Sequence, residues 1–257
     1  MRNGTPTIAA LARTLEMLEA IVADGGTHGV AALARDAGIP VASAHRQVAT
    51  LVEQRYLTRL ETGRHVAGPR LLALAGRIDH KAMVAAAAAP VLERLARRLG
   101  CVVQLGTFEQ DMVTYRIKAG RGAGELFTRT GMQLEAYCSG MGKVLLAHLP
   151  EMEREAYLAT GPFVALTPRT ITEPAALRAE LAEVRAGEFA VDRGEIAEGL
   201  RCVAVPVHGP DGRVIAAASV SRRGESPDDG TVLGLLREAA REIELAAFPG
   251  GLDDQLQ

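Results

Sequence analysis

Tryptophan is absent from this 257-residue chain, and tyrosine and phenylalanine together make only nine positions. The core must therefore be built from Ala, Leu and Val. Cysteine occurs three times, at Cys101, Cys138 and Cys202. An odd count without metal-ligand spacing argues against a disulfide framework and fits free thiols in a reducing cytoplasm. No apolar run approaches the roughly 18 residues of a membrane span; the Ala-rich stretch 82–92 falls short, between Lys81 and Glu93. The first residues, Met1 to Pro6, lack the apolar core of a secretion signal, so a cytoplasmic location without a membrane partner is expected. The histidines show no His-Glu-x-x-His or similar spacing, so neither a metal nor a cofactor is expected. A phosphate loop is also missing. The segment Tyr137-Cys138-Ser139-Gly140-Met141-Gly142-Lys143-Val144 has Tyr137 where that motif needs Gly and Val144 where it needs Ser or Thr. Lysine, finally, is absent from residues 1–77, where nine Arg face six acidic residues, a balance of +3. The remainder carries −5. A basic head on an acidic body points to a local DNA footprint, with the rest of the chain serving another purpose.

What is present starts with the head. A short helical pattern from Gly29 ends at Gly38, which can supply a left-handed helix end, and Pro40 is pre-set for the first turn of the next helix. There Ala44, Val48, Leu51 and Val52 repeat at helical spacing and face inward. Ser43, Arg46, Gln47 and Thr50 occupy the opposite face, with His45 at its margin. Two short helices around a Gly-containing turn form the pattern of a helix-turn-helix. Tyr56 to Leu60, a turn at Glu61-Thr62-Gly63, and Arg64-His65-Val66 read as a hairpin that would form a wing. Such helix pairs also occur as plain packing units. Arg59, Arg64 and His65 favour DNA, because phosphate contacts need basic side chains beside the groove-reading helix.

Before the head, residues 7–23 read as an amphipathic helix with Ile8, Leu11, Leu15, Leu18 and Val22 on one face, stopped by Asp24-Gly25-Gly26. After it, residues 70–89 are expected to form a linker helix interrupted at Pro90, with a second domain over 90–250 and a disordered tail at 251–257. The first domain is then 1–69. The second alternates hairpins and helices: strands at 102–107 and 112–117, a Gly-rich loop with Gly120, Gly122 and Gly124, and helices at 142–149, 151–160 and 174–186. A short strand at 189–191, strands at 202–207 and 213–221, and a helix capped by Ser226-Pro227-Asp228 complete it. The expected class is α+β rather than a Rossmann unit.

Three features of this domain could bind a ligand. The glycines of Gly140-Met141-Gly142, before an apolar helix, leave amides that suit a carboxylate, or they serve a tight loop alone. Ser219 and Ser221 share one strand face, with Cys202 on the partner strand and Asp192 ending another. Taken alone, each has a plainer reading that prevails: a surface serine pair, a buried structural cysteine, a solvated aspartate. Cys138 and His148 are ten residues apart with nothing to orient one toward the other, so no catalytic set is formed and no enzyme is expected.

Together these motifs resemble the isocitrate lyase regulator (IclR) family of bacterial transcription factors. The resemblance rests on 39–46, 51–57 and 63–72 in the head. In the body it rests on 166–172, 189–192, 199–207 and 219–221, covering about 8–247 in the expected order. It implies a winged helix-turn-helix, a dimerising linker helix and a GAF-like effector domain with an antiparallel sheet. It further implies a homodimer or dimer of dimers on a palindromic double-stranded DNA operator, with a small carboxylic or aromatic acid as effector. The DNA-contacting positions would be Val41, Ala42, Ser43, His45, Arg46, Gln47, Arg59, Arg64 and His65. The effector would be held by Leu126, Leu134, Tyr137, Gly140, Met141, Asp192, Cys202, Ser219 and Ser221. Tyr137 stands where many members have His, and Met141 where a small residue is common, so the effector cannot be copied from a relative. The rival reading is a small-molecule-converting or thiol redox-sensing domain fused to a dimerising helix-turn-helix.

Overall fold

The computed structural model describes residues 7–122, 124–223 and 228–249. The tail expected at 251–257 and the Ser226-Pro227 part of the last helix cap lie outside them. The chain divides into two compact units between Asp79 and His80.

The first unit contains α1 (Ala9–Asp24), α2 (Val30–Asp36), α3 (Val41–Glu53), the strands β1 (Leu57–Arg59) and β2 (His65–Ala67), and α4 (Pro69–Ala75). Gly25 ends α1 in a left-handed conformation (φ 63°), which costs a glycine little because it has no Cβ. Between α2 and α3, Gly38 adopts φ 66° and the Ile39 amide donates to the Ala34 carbonyl at 2.7 Å. That closes the helix-turn-helix in four residues. Pro40 sits at the N-cap of α3, one place before its first turn. The core is Met17, Ile21, Val30, Ala34, Ile39, Ala44, Val48, Leu51 and Leu57.

Helix α1 buries Met17 and Ile21, whereas Ile8, Leu11, Leu15 and Val22 are exposed. The helix has two apolar stripes, and the fuller one faces solvent. Its steps of 3, 4, 3 and 4 through Leu18 are those of a coiled-coil seam.

The second unit begins with α5 (His80–Leu99), which runs through Pro90 instead of breaking there. Residues 80–89, expected in a linker, bury Val84 and Ala88 in this unit's core. Burial of that face outweighs the one helix hydrogen bond the proline removes. Six strands follow in the order β5-β4-β3-β8-β7-β6, with every neighbouring pair antiparallel. They are β3 (Val102–Glu109), β4 (Met112–Ala119), β5 (Gln133–Glu135), β6 (Ala190–Asp192), β7 (Leu200–His208) and β8 (Val214–Arg223). Gln110 and Asp111 join β3 to β4 with positive φ at both positions, the two-residue turn whose twist matches a hairpin.

Helix α5 and α9 (Asp229–Ala247) cover one sheet face with Leu92, Leu236 and Ile243 against Val103, Val205 and Val220. On the other face lie α6 (Gly140–Ala147), α7 (Glu151–Leu158) and α8 (Pro174–Gly187), with Val144, Leu146 and Leu181 packed with Tyr115, Ala204 and Ala217. The α+β class with an antiparallel sheet is as expected.

Candidate functional site

In the first unit the alternation of small and polar residues at the start of α3 decides what reaches the surface. Ala42, His45 and Arg46 are exposed, while Val41, Ser43 and Gln47 are half-buried. Opposite them Ala44 and Val48 anchor the helix in the core. The strands pair Arg59 with His65, and the Leu60 amide donates to the Arg64 carbonyl at 2.8 Å to close the wing. Gly68 is required where wing meets α4, since a Cβ would stand 2.3 Å from the Arg55 carbonyl oxygen. Arg64 reaches the Gly26 carbonyl at 3.3 Å and Arg59 is exposed. Burial, with the charges of Arg59 and His45 nearby, holds His65 below the ordinary histidine range. The wing and the outer face of α3 therefore meet around a neutral His65, flanked by exposed arginines.

In the second unit a small cavity lies between α6 and the sheet. Gln104, Tyr115, Leu126, Thr128, Ser139, Gly140, Met141, Asp192, Cys202, Ser219 and Ser221 are among its walls. Its volume is about 20 Å³, room for one water. Seven of the nine expected effector positions meet here. Leu134 and Tyr137 do not line the cavity. Tyr137 instead donates its hydroxyl to the Val164 carbonyl at 2.8 Å and stacks on Phe163 at 4.7 Å between ring centroids. Its size and polar end are satisfied behind the site.

The register explains the gathering. Asp192 lies opposite Cys202, Cys202 opposite Ser221, and Ser219 opposite Gln104. Gln104 Nε2 donates to Thr128 Oγ1 at 2.7 Å, and Ser221 Oγ donates to Gln104 Oε1 at 3.1 Å. The Cys202 thiol, 3.1 Å from Ser221 Oγ, then completes the chain as a donor. Ser139 caps α6 by accepting from the Gly142 amide at 3.1 Å. As the first helical residues, Gly140 and Met141 have no acceptor within the helix. Gly142 admits no side chain, because a Cβ would fall 2.0 Å from the Ala136 carbonyl oxygen.

Asp192 is fully buried. Its Oδ1 accepts from the amides of Gly194 at 2.9 Å and Glu195 at 2.6 Å, while Oδ2 has no partner. Burial raises its pKa, opposed by those amides and by Lys143. Lys143, also fully buried, donates to Glu180 (2.8 Å), Glu195 (2.7 Å) and the Val191 carbonyl (2.9 Å). The lysine of the false phosphate loop is thus a tie between α6, α8 and the turn after β6.

Sequence reasoning missed Gln104, Thr128, Tyr115, Ser139, Lys143 and Glu195. Gln104 was signalled by its polarity inside an apolar strand, and Lys143 by its charge inside an apolar helix. The thiols are not activated: burial pushes Cys138 up to about 12 and raises Cys101 and Cys202 as well. A reactive thiol needs the opposite shift. Among the described residues no group of three His, Cys, Asp or Glu could hold a metal ion, and no helix is long and apolar enough to cross a membrane.

Two family profiles match the chain, "IclR helix-turn-helix domain" over residues 10–61 and "Bacterial transcriptional regulator IclR C-terminal" over 77–245. The HTH-type transcriptional regulator XynR of Escherichia coli is 30% identical, over 94% of this chain and 96% of its own length. The Pca regulon regulatory protein of Pseudomonas putida is 29% identical, over 92% and 83%. Among solved structures, an IclR homolog from Microbacterium hydrocarbonoxydans complexed with 4-hydroxybenzoate aligns with a TM-score of 0.61. It is 31% identical, over 93% of this chain and 99% of that one. The Agobacterium tumefaciens repressor BlcR aligns with a TM-score of 0.68 at 26% identity, over 94% and 97%.

Proposed function

Because the chain belongs to the IclR family of bacterial transcriptional regulators, we propose that it grips a palindromic operator as a dimer and releases or tightens that grip when an organic acid enters the second unit. The coarse part of this is settled by kinship: the protein is a transcriptional regulator with a helix-turn-helix DNA-binding domain and a C-terminal effector domain. The finer assignments are our reading. Ala42, Ser43, His45, Arg46 and Gln47 of α3 would enter the major groove, with Val41 setting their approach. Arg59, Arg64 and His65 of the wing would flank it on phosphate and sugar. The exposed seam of Ile8, Leu11, Leu15 and Val22, in heptad register with Leu18, suits a second copy of the same helix.

One observation carries the effector reading. A helix N-terminus with amides to spare and a fully buried aspartate with one oxygen unpartnered line the same cavity, among thiol, hydroxyl and apolar side chains. Gly140, Met141, Asp192, Cys202, Ser219, Ser221 and Leu126 would hold the acid; Leu134 and Tyr137 would act only from behind. At about 20 Å³ the cavity is closed to any organic acid, so binding requires the Met141 side chain and the 126–128 segment to move. Lys118 Nζ donates to the Leu126 and Thr128 carbonyls and pins that segment. The effector acts through its differential affinity for the closed and opened forms. Cys138 is neutral and lacks an orienting base, which favours regulation over catalysis or thiol sensing.

A thermal-shift panel of small carboxylic and aromatic acids tests the reading, with 4-hydroxybenzoate at its head because a relative is complexed with it. An acid at a hundred times its Kd adds about 2.7 kcal/mol, a rise of roughly 5–10 °C for a unit of this size. Asp192→Ala should remove the rise. A rise of equal size in Asp192→Ala would place the ligand elsewhere.

A further inference from the structure

Charge around the cavity is unbalanced. One ammonium, Lys143, stands among the carboxylates of Asp192, Glu195 and Glu180, and a second, Lys118, is tied to the Leu126 and Thr128 carbonyls of the cavity wall. All three hydrogens of the Lys143 Nζ are committed, to Glu180, Glu195 and the Val191 carbonyl, leaving none for a ligand. Three further titratable groups interact with Asp192, and burial keeps each of them neutral: Tyr115 from β4, Cys138 from the segment before α6, and Cys202 from β7. An acid bound at the N-terminus of α6 would bring a further negative charge into a cavity lined by the fully buried Asp192, whose Oδ2 has no partner. Two buried carboxylates side by side cannot both stay ionised, and they share a proton.

Resting on the effector reading above, we infer that the effector is a carboxylate bound together with one proton, which Asp192 takes up from solvent on Oδ2 and donates to a ligand carboxylate oxygen. The ligand stays ionised, the Asp192 carboxylate becomes a carboxylic acid, and its Oδ1 keeps the amides of Gly194 and Glu195. The α6 amides of Gly140 and Met141 take the ligand's remaining lone pairs. The site thereby selects a monoanionic acid and makes the grip of this regulator depend on pH. Lys143 is a positioning residue: by holding Glu195 and the Val191 carbonyl it keeps the turn that holds Asp192 in the cavity wall.

Calorimetric titration of the full chain with benzoate and with 4-hydroxybenzoate at pH 7, in Tris and in HEPES, tests this. The expected result is a heat that differs between the buffers by the difference of their ionisation enthalpies for one proton, and an affinity that falls by up to about tenfold per pH unit as pH rises from 6 to 8. Asp192→Asn keeps the shape and offers an amide hydrogen in place of the acid, so it should bind with the same heat in both buffers and no pH slope. Should that variant fail to fold, the wild-type buffer comparison decides alone. Binding with identical heats in both buffers overturns proton uptake and leaves the effector reading standing, as does binding of 4-hydroxybenzoate alone through a hydroxyl given to ionised Asp192. No binding of either acid overturns both.

Discussion

Helices α3 and α6 begin alike and end up opposite. Each opens on a stretch without charged side chains, Val41-Ala42-Ser43 in one and Gly140-Met141-Gly142 in the other. The outer face of α3 is open to solvent at Ala42, His45 and Arg46, ready for a groove wide enough to admit a helix. All eight residues of α6 are buried, and the cavity at its N-terminus holds one water's volume. A duplex must be met at an exposed surface, where polar groups are hydrated until contact and cost the fold nothing. A small acid has to be recognised by desolvated groups, each of which weighs on stability whether or not ligand is present. Substitutions in the first region should therefore cost binding alone, and those in the second should cost folding first.

The largest expected effect tests the second half of that contrast. Lys143→Met strands Glu195 and Glu180 beside Asp192, and removing one partner of a buried ion pair costs about 3–5 kcal/mol. Urea unfolding should show the second unit destabilised by that amount. Glu195 has its pKa raised by burial, and loss of Lys143 raises it further. A proton then relieves the stranded charge, so part of the loss should return as pH falls toward 5. A variant as stable as wild type would mean that the lysine tie carries no weight.

A smaller effect tests the first half. Arg46 is exposed on the outer face of α3, and one good contact between such a side chain and a base is worth about 1–3 kcal/mol. Arg46→Ala should weaken operator binding roughly 5- to 150-fold with an unchanged unfolding curve. If the curve moves instead, the residue belongs to the fold rather than to the DNA contact.

The same contrast explains what could be read in the sequence. The head was legible because its signals are local: Gly38, Pro40 and the apolar repeat of α3 lie within a few residues of one another. The sheet register was legible in part, since Ser219, Ser221 and Cys202 flank one turn. Other contacts lie beyond any local signal. Ser221 and Gln104 are 117 positions apart and Lys143 and Glu195 are 52 apart, and no spacing rule joins them. Tyr137 was misplaced for a like reason, because Phe163 and Val164, which hold it, come from the segment after α7. Which face of α1 is buried was not legible, because two apolar stripes compete on one helix and periodicity does not rank them. Pro90 misled because the tertiary packing of α5 overrides a local helix signal.

The central claim is that one unit reads a duplex while the other tunes that reading. Its most direct test is fluorescence anisotropy at moderate salt, with the protein titrated onto its own upstream region and onto a scrambled duplex of equal length, each with and without the acid found in the thermal-shift panel. The account predicts binding to its own sequence at least about a thousandfold tighter than to the scrambled one, and a shift in that ratio when the acid is added. Equal affinity for both duplexes, with and without acid, would contradict it.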